Sequence, residues 1–271
     1  MGKDKVILIT GASSGIGLAC AKLLSEKGFQ VFGTTRRKEI TTQELKYPLL
    51  PLDVCSDDGA KVVAKVVERA GRLDVLINNA GFGIAGPIEE TPISEIKAQL
   101  EVNFYGLLRM CQAAIPIMRS QGEGLIINMS SIGGILSLPF QSAYSASKFA
   151  VEAITRAMRM ELKGTGIKVT AVRPGDCCTD FTNRRRKLST SNIYREPFKR
   201  VMDVIEKNEK EGMKPEKVAR VIEKIINTGS PKASYVVGSL TEKMAILLQQ
   251  TLPSSWFERL LMSFYNMDSK P

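Results

Sequence analysis

The sequence predicts a single α/β domain with a doubly wound, mostly parallel, seven-stranded sheet and helices on both faces. Two observations favour this fold. Short apolar, β-branched runs alternate with helical patterns, and several of the runs are apolar at almost every position. Such alternation is typical of strands joined by helical crossovers, and strands covered on both faces need apolar residues on both. A length of 271 residues suits one domain of this class.

Seven segments are predicted as strands, and five as the helices between them. The strands are expected at 5–10, 30–36, 48–53, 74–79, 124–130, 167–173 and 234–238. The helices are expected at 15–27, 57–70, 92–119, 143–163 and 215–228. No repeat, low-complexity tract or linker divides the chain, so 1–271 is treated as one domain with a C-terminal helical extension over about 240–266.

The composition excludes several chemistries. The chain has no histidine, which rules out a Ser-His-Asp triad, a Cys-His pair and an imidazole base. Its five cysteines form no C-x-x-C pair, so we expect no metal site and reduced thiols, as in the cytoplasm. The N-terminus passes into a strand pattern rather than a signal peptide, and we find no apolar run of about 18 residues that would span a membrane.

The net charge of +10 raises the question of an anionic partner. Basic residues concentrate at 183–187, but aromatic residues make up only 6% and do not interleave with a basic stripe. We therefore expect no nucleic acid partner.

A glycine-rich turn follows the first predicted strand and opens a helix. It reads TGASSGIG at 10–17, which is neither G-x-G-x-x-G nor a Walker A loop. Glycines here permit a tight turn and close approach to a pyrophosphate, which the helix N-terminus also favours. We expect a dinucleotide at this turn; a plain strand-to-helix turn is the alternative. The predicted contacts are Gly11, Ser13, Ser14, Gly15, Ile16 and Gly17.

The end of the second predicted strand bears on which dinucleotide binds. Thr35 stands where an acidic residue usually binds the adenosine ribose, and Arg36 and Arg37 follow it. A guanidinium suits a 2′-phosphate through charge-assisted, forked hydrogen bonds. These three residues favour NADP(H) over NAD(H), unless the arginines are only solvated loop residues.

Further motifs follow in a fixed order. They are LDV at 52–54, NNAG at 78–81, the asparagine of EVNFYG at 103, SS at 130–131, YSASK at 144–148 and RPGDCCT at 173–179. Together with the glycine-rich turn, they make the chain similar to the classical short-chain dehydrogenase/reductase family, including its hydroxysteroid, retinol and ketosphinganine reductases. The motifs cover about the first two thirds of the chain, and none occurs after about residue 180.

The resemblance implies a Rossmann-type fold, a homodimer or homotetramer, and a role for each matching residue. Its catalytic tetrad corresponds to Asn103, Ser131, Tyr144 and Lys148, with Ser131 chosen because it lies thirteen residues before the tyrosine. In the family, the asparagine holds a water that connects the lysine to solvent. The implied cofactor contacts are Asp53 and Val54 at the adenine, Asn79, Ala80 and Gly81 along the cofactor, Tyr144 and Lys148, and Pro174, Gly175 and Thr179 at the nicotinamide.

The residues themselves support this chemistry. Tyr144 and Lys148 are four apart on a predicted helix and share one face. A nearby ammonium and an oxidised nicotinamide would favour tyrosinate, which then exchanges a proton with a substrate hydroxyl. Ser131 follows a strand at the edge where open α/β sheets bind ligands, so its hydroxyl is placed to hydrogen-bond the substrate oxygen.

The last third of the chain bears on the substrate. Residues of about 177–213 are expected to form a lid over the substrate. Its basic residues would bind an acidic substrate or the NADP phosphate, or they bind no ligand. In the C-terminal segment, Ser255 and Glu258 suggest a capping box. The residues predicted to share one apolar helical face are Trp256, Phe257, Leu260, Leu261 and Phe264. This face either packs on the domain or a second subunit, or forms a wall for a lipophilic ketone or a peripheral membrane contact.

The sequence therefore predicts a cytoplasmic, NADP(H)-dependent carbonyl reductase or alcohol dehydrogenase that acts on a hydrophobic small molecule. An alternative is a reductase of 3-oxoacyl thioesters, whose phosphate-bearing carriers would meet the basic lid. A second alternative is a catalytically silent NADP-binding regulatory protein, against which the intact Ser131, Tyr144 and Lys148 argue.

Overall fold

The centre of the fold is a parallel sheet of seven strands. The computed structural model describes residues 4–37 and 45–267. Its strands are β1 (Val6–Ile9), β2 (Gln30–Thr35), β3 (Leu49–Pro51), β4 (Val75–Asn78), β5 (Ile84–Ala85), β6 (Gly124–Met129), β7 (Ile167–Pro174), β8 (Arg186–Lys187) and β9 (Ser234–Val237). The main sheet has the order β3-β2-β1-β4-β6-β7-β9, and every neighbouring pair is parallel. The predicted doubly wound α/β fold is confirmed.

Helices cover both faces of this sheet. They are α1 (Gly15–Glu26), α2 (Gly59–Ala70), α3 (Ile93–Leu100), α4 (Gly106–Gln121), α5 (Ser142–Glu161), α6 (Phe181–Arg184), α7 (Asn192–Glu211), α8 (Pro215–Ile226), α9 (Leu240–Thr251) and α10 (Ser254–Phe264). Helices α1 and α8 pack on one face, and α2, α4 and α5 contribute to the core on the other. A π-helical turn over Glu101–Tyr105 joins α3 to α4, within the helix predicted at 92–119.

The strands bury side chains on both faces, as their apolar runs predict. Leu8 and Leu76 enter one core, whereas their neighbours Ile7 and Ile77 enter the other. Successive residues of a strand point to opposite faces, so a strand between two helical layers needs apolar residues at consecutive positions. This two-sided burial explains why the seven strands could be recognised in the sequence.

The strand order reverses direction between β1 and β4. From β1 the chain first builds outward to β2 and β3, and then crosses to β4, β6, β7 and β9. Loops after β1 and β4 therefore separate and leave a crevice at the carboxyl end of the sheet, which is where doubly wound folds bind ligands.

Two regions differ from the sequence-based expectations. The lid is largely helical: α7 runs for 20 residues and buries Val201, Met202 and Ile205, while β8 pairs with β5. The C-terminal extension consists of two helices. Its capping box is formed by Ser239 and Glu242 at the start of α9, not by Ser255 and Glu258. The proposed capping box was wrong because α10 already begins at Ser254, directly after Pro253. In the described residues no helix is long and apolar enough to cross a membrane.

Candidate active site

A cavity of about 1560 Å³ lies at the carboxyl end of the sheet. Its floor is formed by residues that directly follow strands, including Gly11, Asn79 and Ser131. Residues of α6, α7, α9 and α10 form the opposite walls. The cavity therefore joins the predicted cofactor residues, the predicted catalytic residues, the lid and the C-terminal extension in one space.

Most of the glycine-rich turn lines this cavity. Gly11 has a φ of +66° and Gly15 a φ of +55°, conformations that side chains other than glycine rarely adopt. Gly17 packs against the turn and does not line the cavity, and its contact with a pyrophosphate stays a prediction. A Cβ at Gly17 would lie 2.4 Å from both the Gly11 carbonyl oxygen and the Asn79 amide nitrogen. Gly17 therefore allows the helix to approach the turn, and it is Gly11, Ser13, Ser14, Gly15 and Ile16 that line the cavity.

Thr35 and the two arginines lie beside this turn. The buried Thr35 hydroxyl donates to Ser13 Oγ at 3.2 Å and accepts from the Arg37 amide at 3.1 Å. Arg36 and Arg37 are exposed and line the cavity. The hydroxyl of Thr35 thus stabilises the loop that follows β2. Arg36 and Arg37, which the sequence predicts as ligands of a 2′-phosphate, lie in this loop.

Asn79 and Ala80 hold the β1 and β4 loops together. Asn79 Nδ2 donates to the carbonyl oxygens of Thr10 and Gly11, at 2.9 and 3.1 Å. The amides of Asn79 and Ala80 both donate to Thr10 Oγ1. These two residues and Gly81 line the cavity, as do Pro174, Gly175 and Thr179 after β7.

Some predicted residues lie beside the cavity without lining it. Asp53 is exposed and accepts a hydrogen bond from the Cys55 amide, while Val54 is buried against Gly106. Leu52 and Cys55, on either side of this pair, line the cavity instead. An adenine contact of Asp53 or Val54 stays a prediction.

Three members of the predicted tetrad line this cavity together. Lys148 Nζ lies 5.8 Å from the centroid of the Tyr144 ring and donates to the Met129 carbonyl oxygen at 2.8 Å. Ser131 caps a short 3₁₀ turn through its hydroxyl, which accepts from the Gly133 amide at 3.0 Å. Ser131, Tyr144 and Lys148 all line the cavity.

Asn103 lies outside the cavity and supports this group. It is buried on the π-helical turn, and its amide bonds both the amide and the carbonyl of Phe82 at 3.0 Å. Asn103 Nδ2 also donates to Ser147 Oγ, and that hydroxyl donates to the Tyr144 carbonyl oxygen. Asn103 thus positions the helix that carries Tyr144; its water-holding role stays a prediction.

Burial dominates the electrostatics of the catalytic pair. It raises the pKa of Tyr144 above its ordinary value, while the hydrogen bond with Ser131 and the charge of Arg185 lower it in part. Burial lowers the pKa of Lys148 to about 8, against a smaller upward effect of Glu152. In the chain alone Tyr144 is therefore a protonated phenol at neutral pH, which suits it to donate a proton to a carbonyl oxygen.

Sequence reasoning missed several residues of the cavity. Arg184 Nη1 donates to Ser14 Oγ at 2.9 Å and so connects the lid to the glycine-rich turn. Asp176 and Arg185 also line the cavity. The basic run predicted as a feature of the lid has acidic partners: Arg184 with Asp180, Arg185 with Glu209, Arg186 with Glu95 and Lys187 with Glu206. Asp180 lies four residues before Arg184, but the other three partners are distant in sequence, so the run alone could not reveal them.

The C-terminal helices give the cavity an apolar wall. Phe257 is buried, and Leu248, Leu260, Leu261 and Phe264 line the cavity with it. The predicted single apolar face of α10 is in fact divided. Phe257 and Leu261 pack inward, whereas Trp256, Leu260 and Phe264 remain 64, 51 and 56% exposed.

Comparison with known proteins agrees with this geometry. Residues 5–189 match the model of the short chain dehydrogenase family. A 3-ketodihydrosphingosine reductase of Bacteroides thetaiotaomicron is 40% identical over 97% of this chain and 98% of the relative. An NADPH-dependent 3-dehydrocapnine reductase of Ornithobacterium rhinotracheale is 35% identical over 85% of this chain and 87% of its own length.

A solved structure covers almost the whole chain. The short-chain dehydrogenase from Streptomyces avermitilis superposes with a TM-score of 0.81 and 31% identity, and the match covers 98% of each chain. The fold, the assembled Ser131, Tyr144 and Lys148, and these matches lead to one conclusion: the chain belongs to the short-chain dehydrogenase family of oxidoreductases.

Proposed function

We propose that this protein is an NADP(H)-dependent oxidoreductase that interconverts a lipophilic ketone and its secondary alcohol, with Tyr144 as the proton donor or acceptor. One observation carries the proposal. The cavity that holds Ser131, Tyr144 and Lys148 is also lined by the glycine-rich turn and by apolar side chains of α9 and α10. A nicotinamide cofactor and an apolar substrate would thus meet at the tyrosine.

The residues of the turn fit a dinucleotide. A Cβ at Gly11 would lie 3.1 Å from Ala80 Cα, so the turn and the β4 loop are closely apposed around backbone that faces the cavity. The N-terminus of α1 would face the pyrophosphate, and Arg36 and Arg37 would hold the 2′-phosphate of NADP(H). When bound, the nicotinamide supplies or accepts the hydride, and the protein orients the reactants around it. The printed name of the Ornithobacterium relative, which includes NADPH, supports this choice of cofactor.

The catalytic side chains then handle the proton. The Ser131 hydroxyl hydrogen-bonds the carbonyl oxygen and stabilises the charge that develops on it. Tyr144 donates its phenolic proton to that oxygen during reduction, and the Lys148 ammonium stabilises the tyrosinate that results. The raised pKa of Tyr144 favours the reductive direction, because the proton to be donated is present at neutral pH.

The substrate class follows from the apolar wall. Phe257 and Leu261 offer apolar surface within the cavity, and the names of the two relatives point to long-chain ketones. The thioester alternative relied on free basic residues in the lid. Because 184–187 are each paired with an acidic residue, that alternative loses its main support.

The exposed part of the C-terminal wall is suited to a lipid surface. Leu260 and Phe264 line the cavity and are also about half exposed, so the apolar wall continues to the outside of the protein. Leu240, Met244 and Leu247 of α9 are exposed as well. A lipid ketone would pass from a bilayer into the cavity along this path, and the net charge of +10 would favour an anionic membrane. A homodimer or homotetramer stays a prediction, to be tested by light scattering.

Cofactor binding tests the first step of this proposal. We expect fluorescence titration of the purified protein to show NADPH binding at least about tenfold tighter than NADH, or about 1.4 kcal/mol. Arg36→Ala should remove most of this preference, whereas Arg69→Ala, at the far end of α2, should retain it. Equal binding of the two cofactors would reject the NADP(H) assignment, and binding of neither would reject the enzyme.

A further inference from the structure

The lid is in direct contact with the glycine-rich turn. Arg184 is the last residue of α6, and its Nη1 atom donates to Ser14 Oγ at 2.9 Å. The lid also packs on the turn at Gly15, where a Cβ would lie 3.5 Å from Thr179 Cβ. All four residues line the cavity. Residues 179–184 of the lid therefore lie against the turn that we assign to the cofactor diphosphate.

The turn itself carries no positive side chain. Its sequence, TGASSGIG at 10–17, contains neither lysine nor arginine. Ser14 is the N-cap residue of α1, but its side chain bonds none of the helix amides, so these amides remain for an anion. The helix N-terminus offers about half of an elementary charge, whereas a diphosphate bridge carries a negative charge on each phosphate. A cation from another element would therefore complete the site.

Arg184 is held where it can supply that charge. Its Nη2 atom pairs with Asp180, four residues earlier, at 3.1 Å. The backbone directly after it is anchored, because Arg185 pairs with Glu209 and β8 pairs with β5. A guanidinium has several N–H donors in one plane, so it can keep one acidic partner and bind a phosphate with its remaining donors.

We propose that Arg184 binds the diphosphate of the cofactor and thereby holds the lid closed over it. The Nη1 group that donates to Ser14 donates to a phosphate oxygen when the cofactor is bound. This inference rests on the proposed function and adds to it a contact that NADPH and NADH share. Arg36 and Arg37, by contrast, are assigned to the 2′-phosphate, which NADH lacks.

Cofactor titrations of matched variants test the inference. We expect Arg184→Ala to weaken the binding of NADPH and of NADH alike by about tenfold, or about 1.4 kcal/mol, and to leave the ratio of their affinities unchanged. Arg36→Ala should instead lower that ratio. Lys187→Ala is the control, because Lys187 belongs to the same basic run and has a side chain 45% exposed, against 46% for Arg184. Lys187 does not line the cavity, so its loss should leave the affinity for both cofactors unchanged.

Fragments of the cofactor locate the contact. ADP-ribose contains the diphosphate, whereas adenosine 2′-monophosphate contains the 2′-phosphate and no diphosphate. In competition with NADPH, Arg184→Ala should weaken ADP-ribose by about tenfold and leave adenosine 2′-monophosphate unchanged. Arg36→Ala should do the reverse. Weakening of adenosine 2′-monophosphate by Arg184→Ala would overturn the assignment to the diphosphate.

Asp180→Asn separates a ligand role from a structural role of Arg184. This change breaks the ion pair of α6 but keeps the guanidinium. If Arg184 binds the diphosphate, Asp180→Asn should bind NADPH at least as tightly as the wild type, because a negative charge near the phosphates is removed. If the ion pair only stabilises the lid, Asp180→Asn should weaken NADPH as much as Arg184→Ala does, and that result would overturn the inference.

The outcomes separate this inference from the proposed function. If Arg184→Ala binds both cofactors like the wild type, or weakens NADPH alone, diphosphate binding by Arg184 is wrong and the proposed cofactor stands. If the wild type binds neither cofactor, the proposed function and this inference both fail. Should thermal melts show that Arg184→Ala does not fold, Arg184→Gln, which removes the charge but keeps a polar side chain, is measured in its place with the same expected results.

Discussion

Asp176 follows β7 and lines the cavity, and the cost of burying its carboxylate is measurable as a pH-dependent stability. The ordinary pKa of Asp176 is 3.8, and in the folded protein it is about 7. An acid whose pKa is raised on folding destabilises the protein when ionised, so the penalty is absent well below the unfolded pKa of 3.8, grows as the pH rises towards 7 and is constant above it. A difference of about three units corresponds to an upper limit of about 4 kcal/mol. Because Asp176 is only partly buried and its surroundings can relax, we expect about half of that, or about 2 kcal/mol.

Asp176→Asn should therefore stabilise the protein at alkaline pH. In a domain of this size about 2 kcal/mol corresponds to a rise in Tm of about 4–8 °C. Thermal melts followed by circular dichroism at pH 8 should show this rise, and at about pH 4 less than half of it should remain. Asp203→Asn, a change in an exposed acid, should alter Tm little at either pH. A lower Tm of Asp176→Asn at pH 8, or an equal rise at both pH values, would refute the reasoning.

Three further predictions follow from other parts of the structure. Glu152 and Arg173 form a bidentate, buried ion pair at 2.7 and 2.8 Å, so Glu152→Gln should lower the free energy of unfolding by about 3 kcal/mol in urea titrations. Leu260→Glu should weaken cosedimentation with vesicles that contain anionic phospholipid without changing Tm, and unchanged sedimentation would speak against the lipid path. The pKa of Lys148 is lowered to about 8, so kcat/KM for reduction should fall as the pH rises through about 8, where the ammonium is lost. A profile that stays level well above that pH would contradict the role given to Lys148.

Much of the fold could be predicted because its signals are local. The central strands β1 and β4 are short and buried at every position, and glycines with positive φ angles, Gly28 and Gly71, follow α1 and α2. Helix α7 was not predicted, because it buries few residues and has a proline in its first turns. The division of the α10 face also depends on which side meets α9 and the cavity, and this is decided by tertiary packing.

The residues of the candidate site also fall into two groups, those that the sequence could predict and those that it could not. Ser131, Tyr144 and Lys148 are close in sequence around β6 and α5, so their motif could predict that they meet. Asp176 belongs to the RPGDCCT motif, but Glu209 of α7 and Glu242 of α9 lie outside every motif, so only the folded chain shows that all three line one cavity. The close packing of Gly17 on the turn could not be predicted, because a glycine that faces a ligand and one that faces a carbonyl oxygen look identical in a sequence.

The most direct test of the proposed function is NADPH-dependent reduction of a long-chain ketone by the wild type and by Tyr144→Phe. The phenylalanine keeps the buried ring and its contact with Phe181 but has no proton to donate. General acid catalysis contributes about 10²–10⁴-fold, so we expect NADPH oxidation to fall by at least about 10²-fold while NADPH binding and Tm persist. Turnover by Tyr144→Phe at the wild-type rate, or no ketone reduction by the wild type, would contradict the account.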